Sequence, residues 1–171
     1  MSPNSTRPNP LLFVATMAMS MTYGMVFALV ADLQDEYGLP TWGLGLITGA
    51  AFLAALVSQL GLARYADRGH ARFMLRAGLV INAIGTGIFA IGGSLGQFIL
   101  ARAVLGIGSG MFIPAIRRVL VVGRAEEAGA VLGRLASFEI GGFVLGPPFA
   151  AFLASAYGLK TPFAVQFVLL A

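Results

Sequence analysis

The sequence predicts an all-α membrane protein, a multi-pass transmembrane helix bundle. Three observations predict this fold. The 171-residue chain is 58% hydrophobic and only 11% charged, with a mean hydropathy of +0.87, whereas a soluble domain carries about 25% charged residues. Its apolar residues form long continuous runs, and its arginines cluster in every second connection between those runs. A water-soluble chain this short could not bury so much apolar surface.

Five apolar runs each have about the 20 residues that a helix needs to cross ~30 Å of hydrocarbon. Helices are expected because lipid offers no partners for backbone N–H and C=O groups. A sixth run starts after Pro162 and ends at Ala171, so we expect the chain to stop inside its sixth span. Residues 1–10 are polar and proline-rich, and we expect a cytoplasmic disordered tail before a bundle of residues 11–171. The five runs are Leu11–Ala31, Gly43–Leu62, Phe73–Ile91, Phe98–Ala115 and Leu135–Ala156.

The distribution of charge predicts the orientation of the bundle. Positive charge marks the cytoplasmic side of a membrane protein, and the basic residues fall on the tail and around the connections after the second and fourth runs. The alternate connections hold acids, glycines or a single lysine. We therefore expect a cytoplasmic N-terminus and a bundle in the plasma or inner membrane. The basic residues on the predicted inner side are Arg7, Arg64, Arg68, Arg72, Arg76, Arg117, Arg118, Arg124 and Arg134.

The residue content argues against several classes of site. The chain has no cysteine and a single histidine, His70, so neither a thiolate nor a multi-histidine metal site is expected. The net charge of +4 could suggest nucleic acid, but the arginines lie between apolar runs, which favours a membrane role. The sequence predicts no enzyme activity, no cofactor, no metal and no nucleic-acid partner.

Arg102 is a charged residue inside the fourth run, about four residues, or roughly 6 Å, from its outer end. On insertion scales an arginine near mid-membrane costs about 2.5 kcal/mol or more. One interpretation is that its side chain extends to the outer headgroups. The other is that it faces a watery cavity, as most intramembrane charges do. Gly106 and Gly110 continue the same helix face, where small residues let a neighbouring helix come close.

Glu139 is the acid that lies well inside an apolar run, about 6 Å from the inner end of the fifth run. Roughly half of a ~30 Å core should separate it from Arg102, so no direct pair between them is expected. A structural ion pair and a proton-carrying role both explain such an acid, and both remain open. Its expected partners at the inner surface are Arg72, Arg76, Arg117 and Arg118.

The fifth run combines small residues with a pair of prolines. Gly142 and Gly146 are four residues apart, and Pro147 removes a helical hydrogen bond, so we expect a bend together with close packing. Small residues at the same spacing but without a proline, such as Gly45 and Gly49, indicate ordinary tight packing only.

The first run mixes polar side chains with methionines. Ser20, Tyr23 and Met25 are candidates for the wall of a substrate cavity, because methionine surfaces adapt to varied shapes. The alternative is that the hydroxyl groups of this run bond only to the backbone. Asp32, at the outer end of the run, is either a second proton-carrying acid or a solvated loop residue.

These features resemble the major facilitator superfamily over nearly the whole chain. In that family a charged loop of the form G-x-L-x-D-R-x-G-R-R joins helices two and three and acts as a gate. Here Asp67, Arg68 and Arg72 fit the pattern, which keeps its central acid and flanking bases. The positions that depart from it are Ala63, Tyr65, His70 and Ala71.

Two further motifs carry the same resemblance. Arg102 with the glycines that follow it is similar to the helix-four motif, whose arginine is associated with proton coupling. The helix-five motif G-x-x-x-G-P-x-x-G-G is typical of the antiporter branch, and Gly142, Gly146 and Pro147 match it. Ala150 and Ala151 stand in place of its last two glycines.

The resemblance implies a protein of twelve or fourteen helices built from inverted three-helix repeats, with this chain as its N-terminal half. It implies a secondary transporter that works by alternating access and exchanges a small-molecule substrate for protons, in the direction of efflux. Arg102, Glu139 and Asp32 are then the candidates for proton coupling, and the C-terminal half of the same protein is a partner. The alternative is a non-transporting membrane interaction or assembly module, or an inactive transporter fragment.

Overall fold

A computed structural model describes residues 9–171, except the side chains of Ala63, Ala66 and Asp67. The first eight residues of the predicted tail lie outside the described part. Within that part, five helices are long and apolar enough to cross a membrane, which confirms the predicted all-α bundle. A sixth, shorter helix follows them. The helices are α1 (Pro10–Tyr37), α2 (Thr41–Tyr65), α3 (Ala71–Ile91), α4 (Leu95–Val121), α5 (Ala128–Tyr157) and α6 (Thr161–Leu170).

The helices extend beyond the apolar runs that predicted them. The first run ends at Ala31, whereas α1 continues to Tyr37 and ends where Gly38 adopts a left-handed backbone with φ 59°, a conformation that glycine adopts at little cost. At the other end of α1, the Asn9 side chain accepts a hydrogen bond from the Leu11 N–H at 3.0 Å. Hydropathy marks the part of a helix in hydrocarbon and misses the turns that lie among the headgroups.

Helix α4 packs in parallel against α2, with one backbone carbonyl of α2 facing α4 at each turn. The Nε atom of Arg102 donates to the first carbonyl at 3.1 Å. The next two carbonyls lie against glycines, where an added Cβ would collide with them. The absence of side chains at those glycines therefore sets how closely the two helices approach. The pairs are Arg102 with Ile47, Gly106 with Ala51 and Gly110 with Ala55.

Helix α5 packs on α1 in the same way. A Cβ at Gly142 would lie 2.9 Å from the Met17 carbonyl carbon, and a Cβ at Gly146 would lie 2.6 Å from the Met21 carbonyl oxygen. Both glycines therefore lie at close approaches between α1 and α5.

The prolines of α5 contribute a second close contact with α1. Pro147 has no N–H, so the carbonyl of Phe143, four residues earlier, loses its helical partner. Gly24 of α1 lies directly against this carbonyl and against the Pro147 ring. The helix continues through both prolines to Tyr157.

The remaining faces of the bundle are covered by α3 and α6 or open to the outside. Helix α3 runs antiparallel to α4, and α6 packs on α3, where the rings of Phe163 and Phe89 lie 4.4 Å apart. The expected tight packing of Gly45 and Gly49 is wrong, because an added Cβ at either would meet nothing within 4 Å. Large exposed apolar residues such as Leu60 face outward, as expected for a lipid-facing surface.

Candidate functional site

A cavity of ≈ 380 Å³ lies between α1, α2, α4 and α5. Its volume is within the range of about 300–1,000 Å³ that small-molecule sites occupy. Aromatic and aliphatic side chains form most of its wall, with a few hydroxyl and amide groups and one carboxylate. The lining residues are Thr16, Met19, Ser20, Tyr23, Phe52, Ala55, Gln59, Ser109, Phe112, Ile113, Glu139, Ile140 and Phe143.

The structure places two of the three residues predicted for the cavity wall on that wall, and the third elsewhere. Ser20 and Tyr23 line the cavity. Met25 does not line the cavity, because it is fully buried in the core with Val26 and Leu29. Its backbone nitrogen faces Gly146 of α5. The assignment of Met25 to the wall is therefore wrong, because Met25 lies on the face of α1 that packs on α5.

Arg102 is fully buried in the interior of the bundle, which excludes an extended side chain among the headgroups. Its Nε atom donates to the Ile47 carbonyl at 3.1 Å, and its guanidinium lies 4.8 Å from the centre of the Tyr23 ring. Helix α4 begins at Leu95, so Arg102 is seven residues, or about 10 Å, from the helix start.

The positive charge of Arg102 has few partners in the part of the chain that the structure describes. Its two terminal nitrogens, Nη1 and Nη2, are buried without a hydrogen-bond partner there. The contacts found for Arg102 are the Ile47 carbonyl and the face of the Tyr23 ring. A cation–π contact of this kind is worth up to about 2 kcal/mol when desolvated.

A hydrogen-bonded relay joins the cavity wall to helices α3 and α4. The Tyr23 hydroxyl donates to Ser109 Oγ at 2.9 Å, and Asn82 Nδ2 donates to the same oxygen at 3.1 Å. Ser109 Oγ in turn donates to the Leu105 carbonyl at 3.0 Å. One donated and two accepted bonds satisfy the hydroxyl group completely. The relay fixes the Tyr23 ring that stacks on Arg102.

Sequence reasoning missed the Asn82 and Ser109 members of this relay. Asn82 is fully buried, and its side chain also donates to the Leu105 carbonyl at 3.3 Å. An amide inside an apolar run was the available signal, because amides in membrane helices bond across to other helices. The hydroxyl-to-backbone alternative holds elsewhere in α1, where Thr16 and Thr22 bond to carbonyls four residues earlier.

Glu139 lines the same cavity, and its Oε2 atom lies 3.8 Å from Nη2 of Arg117. Arg117 is one of the four basic residues expected as its partner. Helix α5 begins at Ala128, so Glu139 is eleven residues, or about 16 Å, from the helix start. Its Oε1 atom is buried without a partner among the described residues.

Arg102 and Glu139 lie at different levels of the bundle, as the sequence predicts. Helices α1 and α5 are parallel, and Gly142 of α5 packs on Met17 of α1. Glu139 lies three residues before this contact on α5. Tyr23, which stacks on Arg102, lies six residues after it on α1. Nine residues of helix rise, about 13 Å, therefore separate Glu139 from Tyr23.

The other candidate residues lie away from the cavity. Asp32 is exposed near the C-terminal end of α1 and belongs to the helix rather than to a loop. Arg68 and Arg72 are exposed at the turn between α2 and α3, where Gly69 has φ 89°. The side chain of Asp67, the central acid of the gate motif, lies outside the described residues.

The fold and the cavity define a multi-pass membrane bundle with a ligand-sized cavity among its helices. Residues 12–171 match the Major Facilitator Superfamily. The chain therefore belongs to the major facilitator superfamily, a family of transporters.

Several curated proteins are similar to this chain. It is 27% identical over 157 residues to the multidrug resistance protein MdtG of Dickeya zeae (strain Ech586), which covers 91% of this chain and 38% of that protein. It is 29% identical over 141 residues to the fosmidomycin resistance protein of Escherichia coli (strain K12), 81% of this chain and 34% of that protein. It is 29% identical over 150 residues to the MFS-type transporter SLC18B1 of Rattus norvegicus, 84% and 33%. The chain spans about a third of the length of these relatives.

Proposed function

We propose that this chain forms the N-terminal bundle of a secondary active transporter that exports small molecules in exchange for protons. The cavity between α1, α2, α4 and α5 carries the proposal, because it is apolar and ligand-sized, Glu139 lies on its wall, and the buried Arg102 stacks on the wall residue Tyr23. Membrane helices hold such charges at substrate and proton pathways. The bundle would lie in the plasma or inner membrane with its N-terminus in the cytoplasm.

The mechanism is alternating access, in which this bundle and a second one rock about the cavity they enclose. The close backbone contacts at Gly142 and Gly106 hold α5 on α1 and α4 on α2, so this bundle can move as one unit. A proton on Glu139 neutralises the carboxylate and lowers the cost of a closed, low-dielectric state. Arg102 supplies a fixed positive charge about 13 Å away along the helices. The charge of Arg102 repels other cations from the end of the cavity beside Tyr23.

Export is the proposed direction of transport. Two of the similar proteins are named as resistance proteins, MdtG and the fosmidomycin resistance protein. The small-residue and proline pattern of α5 at Gly142, Gly146 and Pro147 agrees with this direction, since it resembles the motif of the antiporter branch.

Proton flux in inverted vesicles that contain the full-length protein tests the proposal. Addition of a transported solute should move protons in the wild type and in Glu126→Gln, an exposed surface acid chosen as control. Glu139→Gln and Arg102→Ala should each abolish the solute-dependent flux while the protein still inserts. If both variants retain the wild-type flux, the roles proposed for these two residues are wrong. If the wild type moves no protons with any solute, a non-transporting membrane module is favoured.

A further inference from the structure

The carboxylate of Glu139 is only partly engaged by the protein. Its Oε2 atom lies 3.8 Å from Arg117 Nη2, a distance beyond the range of a hydrogen bond. Its Oε1 atom is buried and has no partner among the described residues. A carboxylate offers about four acceptor sites, so the described residues use little of its capacity.

The wall around this carboxylate has the composition of a site for an organic cation. Four aromatic side chains line the cavity, and Glu139 is the charged residue among the lining residues. Aromatic faces attract cations, and a carboxylate adds a full opposite charge. An anion would meet a carboxylate in an apolar space, whereas a neutral solute would leave it unmatched. The aromatic lining residues are Phe52, Phe112 and Phe143, together with Tyr23, whose ring already stacks on Arg102.

The guanidinium of Arg102 does not compete with a ligand cation for Glu139. Arg102 is fully buried and is not among the lining residues. It stacks on Tyr23, about 13 Å along the helices from Glu139. The cation that does compete is Arg117, which reaches Glu139 from the next helix.

We propose that the cavity takes an organic monocation with an aromatic or aliphatic body, and that Arg117 is the resident cation which this ligand displaces from Glu139. The inference rests on the proposed transport function. The Arg117 side chain is 55% exposed, so its guanidinium can move into solvent without losing a buried site. Until a cation binds, Arg117 stays paired with Glu139. Breaking this pair lowers the affinity of the protein for the cation.

The strength of the competition follows from the geometry. An exposed ion pair at this separation contributes little, and its loss corresponds to at most about fivefold in an equilibrium constant. Removal of the guanidinium should therefore tighten the binding of a cation about two- to fivefold. Removal of the carboxylate should weaken it about tenfold or more, as expected for a charged partner.

Equilibrium dialysis with the full-length protein in lipid nanodiscs tests the inference, with benzyltrimethylammonium as the cation and phenylacetate as the anion of similar shape. Arg117→Gln should bind the cation about two- to fivefold more tightly than the wild type. Arg117→Lys should restore the wild-type affinity, and Arg76→Gln, an exposed arginine of α3, should leave it unchanged. In a Glu139→Gln background, Arg117→Gln should have no effect, because the group for which both cations compete is gone.

Three results would overturn the inference: equal or weaker cation binding by Arg117→Gln, an effect of Arg117→Gln that persists without Glu139, or tighter binding of phenylacetate by the wild type. Gel filtration of each variant in detergent separates these outcomes from misfolding, and Arg117→Lys provides a variant that keeps the charge. If solute-dependent proton flux is intact while Arg117→Gln binds like the wild type, the inference fails and the proposed function stands. If the wild type transports nothing, the proposed function fails.

Discussion

The packing of α5 on α1 predicts opposite outcomes for two adjacent glycines. A Cβ at Gly142 would lie 2.9 Å from the Met17 carbonyl carbon and 3.0 Å from its Cα, whereas a Cβ at Gly141 would meet nothing within 4 Å. The favourable distance between carbon atoms is about 3.5 Å or more. The Met17 carbonyl oxygen lies nearer still, so Gly142→Ala requires α1 and α5 to move apart by at least about 0.6 Å.

The magnitude follows from two opposing effects. Replacement of glycine by alanine in a helix stabilises it by up to about 1 kcal/mol, and this gain applies to both positions. Overpacking against a backbone that cannot rotate away costs about 1–3 kcal/mol, and this loss applies to Gly142 only. The free energy of unfolding of Gly141→Ala should therefore exceed that of Gly142→Ala by about 1–3 kcal/mol.

Unfolding by SDS in mixed micelles, followed by circular dichroism, measures this difference. Gly141→Ala should unfold at the same or a higher SDS fraction than the wild type, and Gly142→Ala at a lower one. Equal midpoints for the two variants would refute the reasoning, because they would mean that the α1–α5 contact does not limit the helix separation.

Three further predictions concern the interior charges and the orientation. Arg102→Met should raise the free energy of unfolding by about 1–4 kcal/mol, since it removes a buried charge with few partners. The same substitution should abolish transport. A lower stability in the SDS assay would contradict this prediction. Tyr23→Phe should lower the free energy of unfolding by about 0.5–1.5 kcal/mol through loss of the hydrogen bond to Ser109. Tyr157 is exposed, so Tyr157→Phe should leave the stability unchanged. Equal effects of the two substitutions would exclude a stabilising role for the relay. Tags placed before Asn9 and after Gly69 should both be protected from protease added outside intact cells, and accessibility of either tag would contradict the predicted orientation.

The spans could be predicted from the sequence because lipid imposes one simple requirement, an apolar helix of sufficient length. The helix ends could not, since α1 continues beyond its apolar run through Asp35 and Glu36, which lie exposed in its last turns. The same holds for α5, which begins at Ala128, seven residues before its apolar run.

The candidate site was predicted only in part, because its contacts join residues that are distant in sequence. The bond from Tyr23 to Ser109 spans 86 residues, and no local pattern encodes it. Glycine spacing alone was also insufficient. Gly106 and Gly110 meet the backbone of α2, whereas Gly45 and Gly49 have the same spacing and meet nothing. Which face of a helix a neighbour covers depends on the assembled bundle.

The central claim, that α1, α2, α4 and α5 enclose a water-accessible cavity that binds solute, can be measured by cysteine labelling. The chain contains no cysteine, so single substitutions report on single positions. Ser20→Cys and Ile140→Cys, on the cavity wall, should react with a membrane-impermeant maleimide in inverted vesicles and be protected by a transported solute. Val80→Cys, exposed on α3 but outside the cavity, should not react. Equal reactivity at all three positions, or no protection by solute, would contradict the account.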